Sequence, residues 1–140
     1  MKEIQEEVSA GGVLMRKSKG IREALVIKVR YYGYELPKGH LEGDENFEQA
    51  AGRELCEETT LLIEPVVGKA LGDIDYTFTH QDKRIHKIVH YYVFTTKEDP
   101  IFGKKPDEVK ERRWIKKDEV SKLPLVNEKL RKIISKAFDE

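Results

Sequence analysis

Between Leu36 and Leu61 the chain passes from a segment that cannot be helical to one that can hardly be anything else. Pro37, Gly39 and Gly43 break the first part, Leu36 to Glu45, into a loop. Asn46 then stands where a helix starts, and Gln49 three residues on completes a reciprocal capping pair. Phe47, Ala50, Ala51 and Leu55 recur at helical spacing and give this helix a buried side. The β-branched Thr59 and Thr60 mark its end. Within it, Arg53-Glu54-Leu55-Cys56-Glu57-Glu58 puts Glu54, Glu57 and Glu58 on one face, with Cβ atoms roughly 5–6 Å apart. Like charges so spaced repel. A hard divalent cation would offset the repulsion, because Mg²⁺ prefers carboxylate oxygens, water and phosphate. Glutamates in a helix are also commonly a solvated face, so this spacing alone leaves both readings open. Arg53 lies four residues before Glu57 and beside Glu54, and its fork is long enough to reach back to Glu45 and hold the loop on the helix. The glycines around His40 to Glu42 allow a tight turn that aims a main-chain carbonyl, such as that of Lys38, at the same cation.

The segments on either side predict strands. Val8 to Met15 is apolar and interrupted by Gly11 and Gly12, as expected where another backbone or a ligand comes close. Ala24 to Val29 forms a second strand after a turn at Lys17 to Gly20. Leu61 to Leu71 and Asp73 to Thr79 read as two strands, His80 to Arg84 as a turn, and Ile85 to Thr96 as a long strand. Lys97 to Lys110 is a loop, Glu111 to Ile115 a short strand, and Asn127 caps a last helix with Leu130, Ile133, Ile134, Ala137 and Phe138 on one face. This order predicts the α/β class: a mixed sheet between helices, an α/β/α sandwich, as a single domain over residues 1–140.

Charge excludes more than it suggests. Lys and Arg number 26 and Asp and Glu 26, so no global field favours nucleic acid or a membrane surface. Cys56 is the lone cysteine, so no disulfide can close within the chain. It lies among acids that disfavour a thiolate, and reads as structural. Met1 to Glu7 is charged, and no apolar run approaches the roughly 20 residues of a membrane span. The expectation is a cytoplasmic protein, with monomer and homodimer both open.

Gly39-x5-Glu45-x7-Arg53-Glu54-Leu55-x-Glu57-Glu58-x-x-Leu61 closely resembles the Nudix box. The resemblance extends to Ser9-Ala10-Gly11-Gly12-Val13-Leu14, to Leu36-Pro37-Lys38-Gly39-His40 and to Trp114 followed by a helix. It implies the Nudix fold and Mg²⁺ or Mn²⁺ held by Glu54, Glu57, Glu58 and the Lys38 carbonyl. It also implies water attack on a phosphorus of a nucleoside diphosphate linked to another moiety, with Glu57, Glu58 and Arg53 in the catalytic set and Gly39 and Glu45 structural. The box normally has glycine where Thr60 stands, in a left-handed conformation that is costly for a β-branched residue. The family often adds an acid from the loop before the last strand. Glu108 is the first candidate for it and Glu111 the second.

Leu36 to His40 is similar to the dinucleoside polyphosphate hydrolases, diadenosine tetraphosphate hydrolases above all, and the resemblance implies such a substrate. A nucleoside triphosphate pyrophosphatase, a diphosphoinositol polyphosphate hydrolase and a ligand-sensing module without catalysis are the alternatives. Lys38, His40, Lys83, Arg84, Lys87 and His90 are the candidate phosphate-binding cations, and Tyr76 or Tyr34 the candidate platform for adenine. Strand alternation puts Lys87, Val89 and Tyr91 on one face and His86, Ile88, His90 and Tyr92 on the other, so one set faces the cleft. Trp114 reads as core.

Overall fold

The structure, a computed structural model, describes residues 3–139. Strands β1 (Ile4–Ser18), β2 (Ile21–Arg30), β3 (Gly33–Glu35) and β4 (Lys38–His40) precede helix α1 (Phe47–Thr59). Strands β5 (Val66–His80), β6 (Lys83–Thr95) and β7 (Glu111–Lys116) and helix α2 (Lys129–Ala137) follow. The sheet is mixed. β1 runs parallel to β6 from Ile4↔Arg84 to Leu14↔Phe94, while its other pairings, with β2 and β4, are antiparallel.

Alternation along each strand divides the core in two. Val13, Val26, Val89, Tyr91 and Val93 point to the side where α2 brings Leu130, Ile133, Ile134 and Ala137. Ala10, Leu14, Leu25 and Phe94 point to the side where α1 brings Ala50, Ala51 and Leu55. Each face of the sheet is thus covered by one helix, the α/β/α arrangement expected. Among the described residues no helix is long and apolar enough to cross a membrane.

Four local expectations change. Lys38–His40 is not loop but a short strand, because its register Ser9↔His40 to Gly11↔Lys38 satisfies the free edge of β1. The two strands expected across Leu61–Thr79 are one strand beginning at Val66; Gly72, at φ +113°, absorbs an irregularity in the register with β6 instead of ending it. Leu61 makes an isolated bridge to Phe102. The turn after β5 is the pair Gln81–Asp82, both at positive φ, as a tight hairpin requires. Trp114 is half-buried rather than core, packed beside Phe102 and under the Arg16 guanidinium, 4.1 Å from its ring.

Candidate active site

Helix α1 is fixed at both ends. Asn46 Oδ1 accepts from the Gln49 amide at 2.8 Å, and Gln49 Oε1 accepts from the Asn46 amide at 3.0 Å. At the other end Thr60 takes the left-handed conformation, φ 58° and ψ 34°. Its hydroxyl donates to the Gly103 carbonyl (3.0 Å) and accepts from Arg112 Nη1 (2.7 Å), which also reaches the Thr59 carbonyl (2.7 Å). This network holds a residue with a Cβ where glycine would otherwise stand.

Arg53 ties the preceding loop to the helix. Its Nε and Nη2 donate to the two Glu45 oxygens at 2.7 and 2.9 Å, and Nη2 also donates to the His40 carbonyl at 2.8 Å. Nη1 turns the other way, to Glu54 at 2.9 Å and to both Glu57 oxygens at 3.2 Å. The Glu45 pairing, above all, raises the Arg53 pKa, and the Arg53 hydrogen bond lowers that of Glu45.

Gly39 brings β4 against this face. A Cβ there would collide with the Glu54 carboxylate, so the close approach needs glycine. Gly11 plays the matching part on β1, where a Cβ would meet the Pro37 carbonyl and the Tyr91 ring. The approach lets the Lys38 amide donate to Glu58 Oε1 at 2.7 Å. Burial pushes the Glu58 carboxyl up to about 7, against that hydrogen bond. Burial also raises Glu54, with Arg53 opposing.

Among the described residues no three acidic, His or Cys groups already converge as a cation would need. Arg53 Nη1 stands between Glu54 and Glu57 and supplies positive charge there. The donors nonetheless fit a hard divalent ion: they are oxygens on one helical face, and among the described residues the half-buried Glu58 has no cation within salt-bridge reach. In extended backbone the N–H and C=O of one residue leave on the same side, so the Lys38 carbonyl leaves β4 on the side of Glu58.

The faces of β6 sort the candidate cations. Lys87 lies on the α2 side with Val89 and Tyr91, opposite Tyr76 of β5. Its Nζ is 3.9 Å from Glu7 Oε1, and burial lowers its pKa, with Lys38 the nearby positive charge adding to the effect. His40 is exposed, its Nε2 3.3 Å from the same Glu7 oxygen. Lys38 and His40 on β4 and Lys87 on β6 therefore flank β1 from its two edges, with Lys38 beside the box acids.

His90 does not join them. It lies on the α1 face, stacked on Phe47 at 4.2 Å and bonded to Asp73 at 2.6 Å. Lys83 begins β6, beside Gln5 and Asp82, four residues and roughly 13 Å along the strand from Lys87. Arg84 pairs with Ile4 and Thr79 at that same end. Tyr34 is buried and its hydroxyl donates to Glu111 at 2.8 Å, so no open ring face remains for a base. Glu108 is exposed in the loop before β7. The half-buried Cys56 has its thiol pushed up by burial.

Sequence pattern assigns no site role to Glu35, Tyr91 or Asn127. With Lys38 and Tyr76 they line a cavity of about 200 Å³ between the sheet and the start of α2. Glu35 sits between the buried Tyr34 and Leu36, where a period-two pattern would have turned it to solvent, so alternation gave no signal for it.

The NUDIX domain family model matches residues 5–137. The protein named MutT4 of Mycobacterium tuberculosis (strain CDC 1551 / Oshkosh) is 44% identical over 94 residues, which are 62% of this chain and 37% of that protein. Nudix hydrolase 4 of Arabidopsis thaliana is 34% identical over 105 residues, 74% of this chain and 47% of the relative. The chain thus spans less than half the length of the curated relatives it matches. Among solved structures, C. elegans Ap4A hydrolase superposes with a TM-score of 0.66 at 20% identity, over 97% of this chain and 100% of that one. The MutT protein from Methanosarcina mazei Go1 gives 0.65 at 20%, over 99% and 97%. At such identity these two likenesses speak for the fold. The match over nearly the whole chain speaks for the family: this chain belongs to the NUDIX domain family.

Proposed function

We propose that the protein is a pyrophosphohydrolase that needs a divalent metal and cleaves a phosphoanhydride bond in a nucleoside diphosphate linked to another moiety. The observation that carries this reading is Glu58, half-buried and held by the Lys38 amide on the same helical face as Glu54 and Glu57. Glu54, Glu57, Glu58 and the Lys38 carbonyl would hold Mg²⁺ or Mn²⁺. When bound, the ion would neutralise phosphate charge and polarise the attacking water. Arg53 positions the face by locking Glu45 and His40 behind it. Lys38, His40 and Lys87 would bind the phosphate chain, and Tyr76 would stack on a base. His90 and Lys83 drop out of this assignment.

The substrate proposed is a dinucleoside polyphosphate such as diadenosine tetraphosphate. A nucleoside triphosphate is the second reading, favoured by the identity to a protein named as a mutator. A panel with Mg²⁺ separates them: diadenosine tetraphosphate, oxidised nucleoside triphosphates and a diphosphoinositol polyphosphate, with products resolved by chromatography. The highest kcat/KM is expected on diadenosine tetraphosphate. Highest kcat/KM on an oxidised triphosphate would favour the second reading. Nucleotide binding without turnover of any of them would point to a sensing module.

Glu108 is proposed as the additional acid, which would reach the site when the loop folds over substrate. Glu111 is already engaged by Tyr34. Glu108→Gln should therefore lower kcat and flatten the basic limb of its pH profile, and Glu111→Gln should not. The reverse outcome would transfer the role to Glu111.

A further inference from the structure

The cavity beside β3 has a feature that a site for phosphate does not explain. Glu35 lines it, and Glu35 Oε2 is shut off from solvent without a hydrogen-bond partner. Lys38 and Arg30 act on Glu35 only as nearby charges, and burial raises its pKa more than they lower it. A carboxylate oxygen left unpaired away from water destabilises the fold. In a cleft meant for a polyphosphate it also adds negative charge where positive is needed. It becomes useful only if something carrying N–H groups is delivered to it.

The rest of the cavity says what that group is. Its volume, about 200 Å³, is several times what one water occupies, so it suits a ring system rather than an ion. Ile74 and Tyr91 give it a buried apolar wall, the half-buried Tyr76 adds a ring face, and Asn127 adds an amide at the start of α2. Lys38 belongs both to this wall and, through its amide, to the box helix, so the cavity adjoins the place where a phosphorus would be attacked. An apolar slot with a few convergent polar groups is what a planar heterocycle requires.

We infer that Glu35 is a specificity-determining residue, whose carboxylate accepts a hydrogen bond from the exocyclic amino group of a nucleobase seated against Tyr76. This deepens the proposed function and rests on its nucleotide substrate. A base with a carbonyl at that edge, such as hypoxanthine in place of adenine, would set acceptor against acceptor and be rejected.

The test is direct binding, with no turnover required. AMP and IMP are titrated calorimetrically into the wild-type protein, Glu35→Gln and Glu35→Leu. Wild type should bind AMP at least roughly tenfold tighter than IMP. In Glu35→Gln, whose amide both donates and accepts, the ratio should fall to within about threefold, and Glu35→Leu should abolish it. Glu35→Leu removes the unpaired buried oxygen and Glu35→Gln removes its charge, so both variants should unfold at the same temperature as the parent or higher. An unchanged AMP:IMP ratio in a folded Glu35→Gln protein overturns the inference, and so does a wild type that binds neither nucleotide. Loss of hydrolysis with the binding ratio intact would count against the proposed reaction and leave Glu35 as the base reader.

Discussion

At Glu58 two demands conflict. Its carboxylate must lose water to sit between α1 and β4, and burial drives it toward the protonated form. The Lys38 amide offsets part of that cost, and a cation would supply the remainder. Glu58→Gln keeps an oxygen to accept from Lys38 while removing the charge. It should lower kcat by roughly 10²–10³-fold, the scale of losing one preorganised electrostatic group. The denaturation midpoint of the metal-free protein should stay the same or rise. Near-parental kcat would remove Glu58 from the metal set. Thr60 is a second residue held against its preference. The left-handed conformation costs a β-branched residue about 1–2 kcal/mol, which its contacts with Arg112 and Gly103 offset. Thr60→Val keeps the strain and removes the hydroxyl, so it should destabilise by about 1–3 kcal/mol in chemical denaturation. Thr60→Gly removes both and should be neutral to within about 1 kcal/mol. A neutral Thr60→Val would show that the hydroxyl does not secure this helix end.

At the level of elements, the hairpin of β5 and β6 decides which charges meet substrate. Its register sets Tyr76 opposite Lys87 and sends His86 and His90 to the other face. Lys83 lies at the far end, past the reach of a chain bound near Lys38. Lys87→Glu should therefore raise KM for a tetraphosphate substrate by roughly tenfold or more, about the 1.4 kcal/mol of one lost charged contact. Lys83→Glu should leave KM within about twofold. Equal effects from the two would mean that the hairpin acts only through general surface charge. Legibility in the sequence differed in the same way between elements. Helix α1 announced itself through its cap, its apolar spacing and its acids, all of them local. Strand β4 did not, because three residues around Gly39 carry no pattern of their own and become strand only when β1 offers an unpaired edge. The site followed the same division. Arg53 and its carboxylates were readable as neighbours on one helix, whereas Glu35 entered the site by packing.

Across the whole molecule, His86 ties elements that are distant in sequence. Its Nδ1 meets Glu6 of β1 at 2.7 Å and its Nε2 meets Asp75 of β5 at 2.9 Å; Lys129 of α2 reaches Asp75 as well. Asp75 first, then Glu6, raises the His86 pKa above its ordinary value near 6.5. The sign follows from linkage: the folded state holds the proton more tightly, so this contribution is complete below about pH 6.5 and is lost as pH rises through the raised value. The same contact lowers Asp75, whose contribution is present above the ordinary carboxylate range and is lost as pH falls through the lowered value. Unfolding free energies of wild type and His86→Gln should differ most in mildly acidic solution and converge toward pH 9. A gap that widens with pH would contradict the assignment.

Local pattern sufficed for whatever depends on residues a few positions apart. The capped helix with Glu54, Glu57 and Glu58 on one face, the Arg53–Glu45 reach, the amphipathic α2 and the alternation of β6 all follow from the 3.6 and 2.0 periods of the backbone. Those periods say that two faces exist and not which one is covered by what. The choice of the Lys87 face over the His90 face was made by the helices that pack there, α2 on one side and α1 on the other. In the same way, packing buried Tyr34 and shut Glu35 Oε2 off from solvent without a partner. Packing also made a left-handed threonine tolerable by bringing Arg112 to it from more than 50 residues away. Each of these outcomes depends on desolvation and contact between segments far apart in the chain, which no window along the sequence contains.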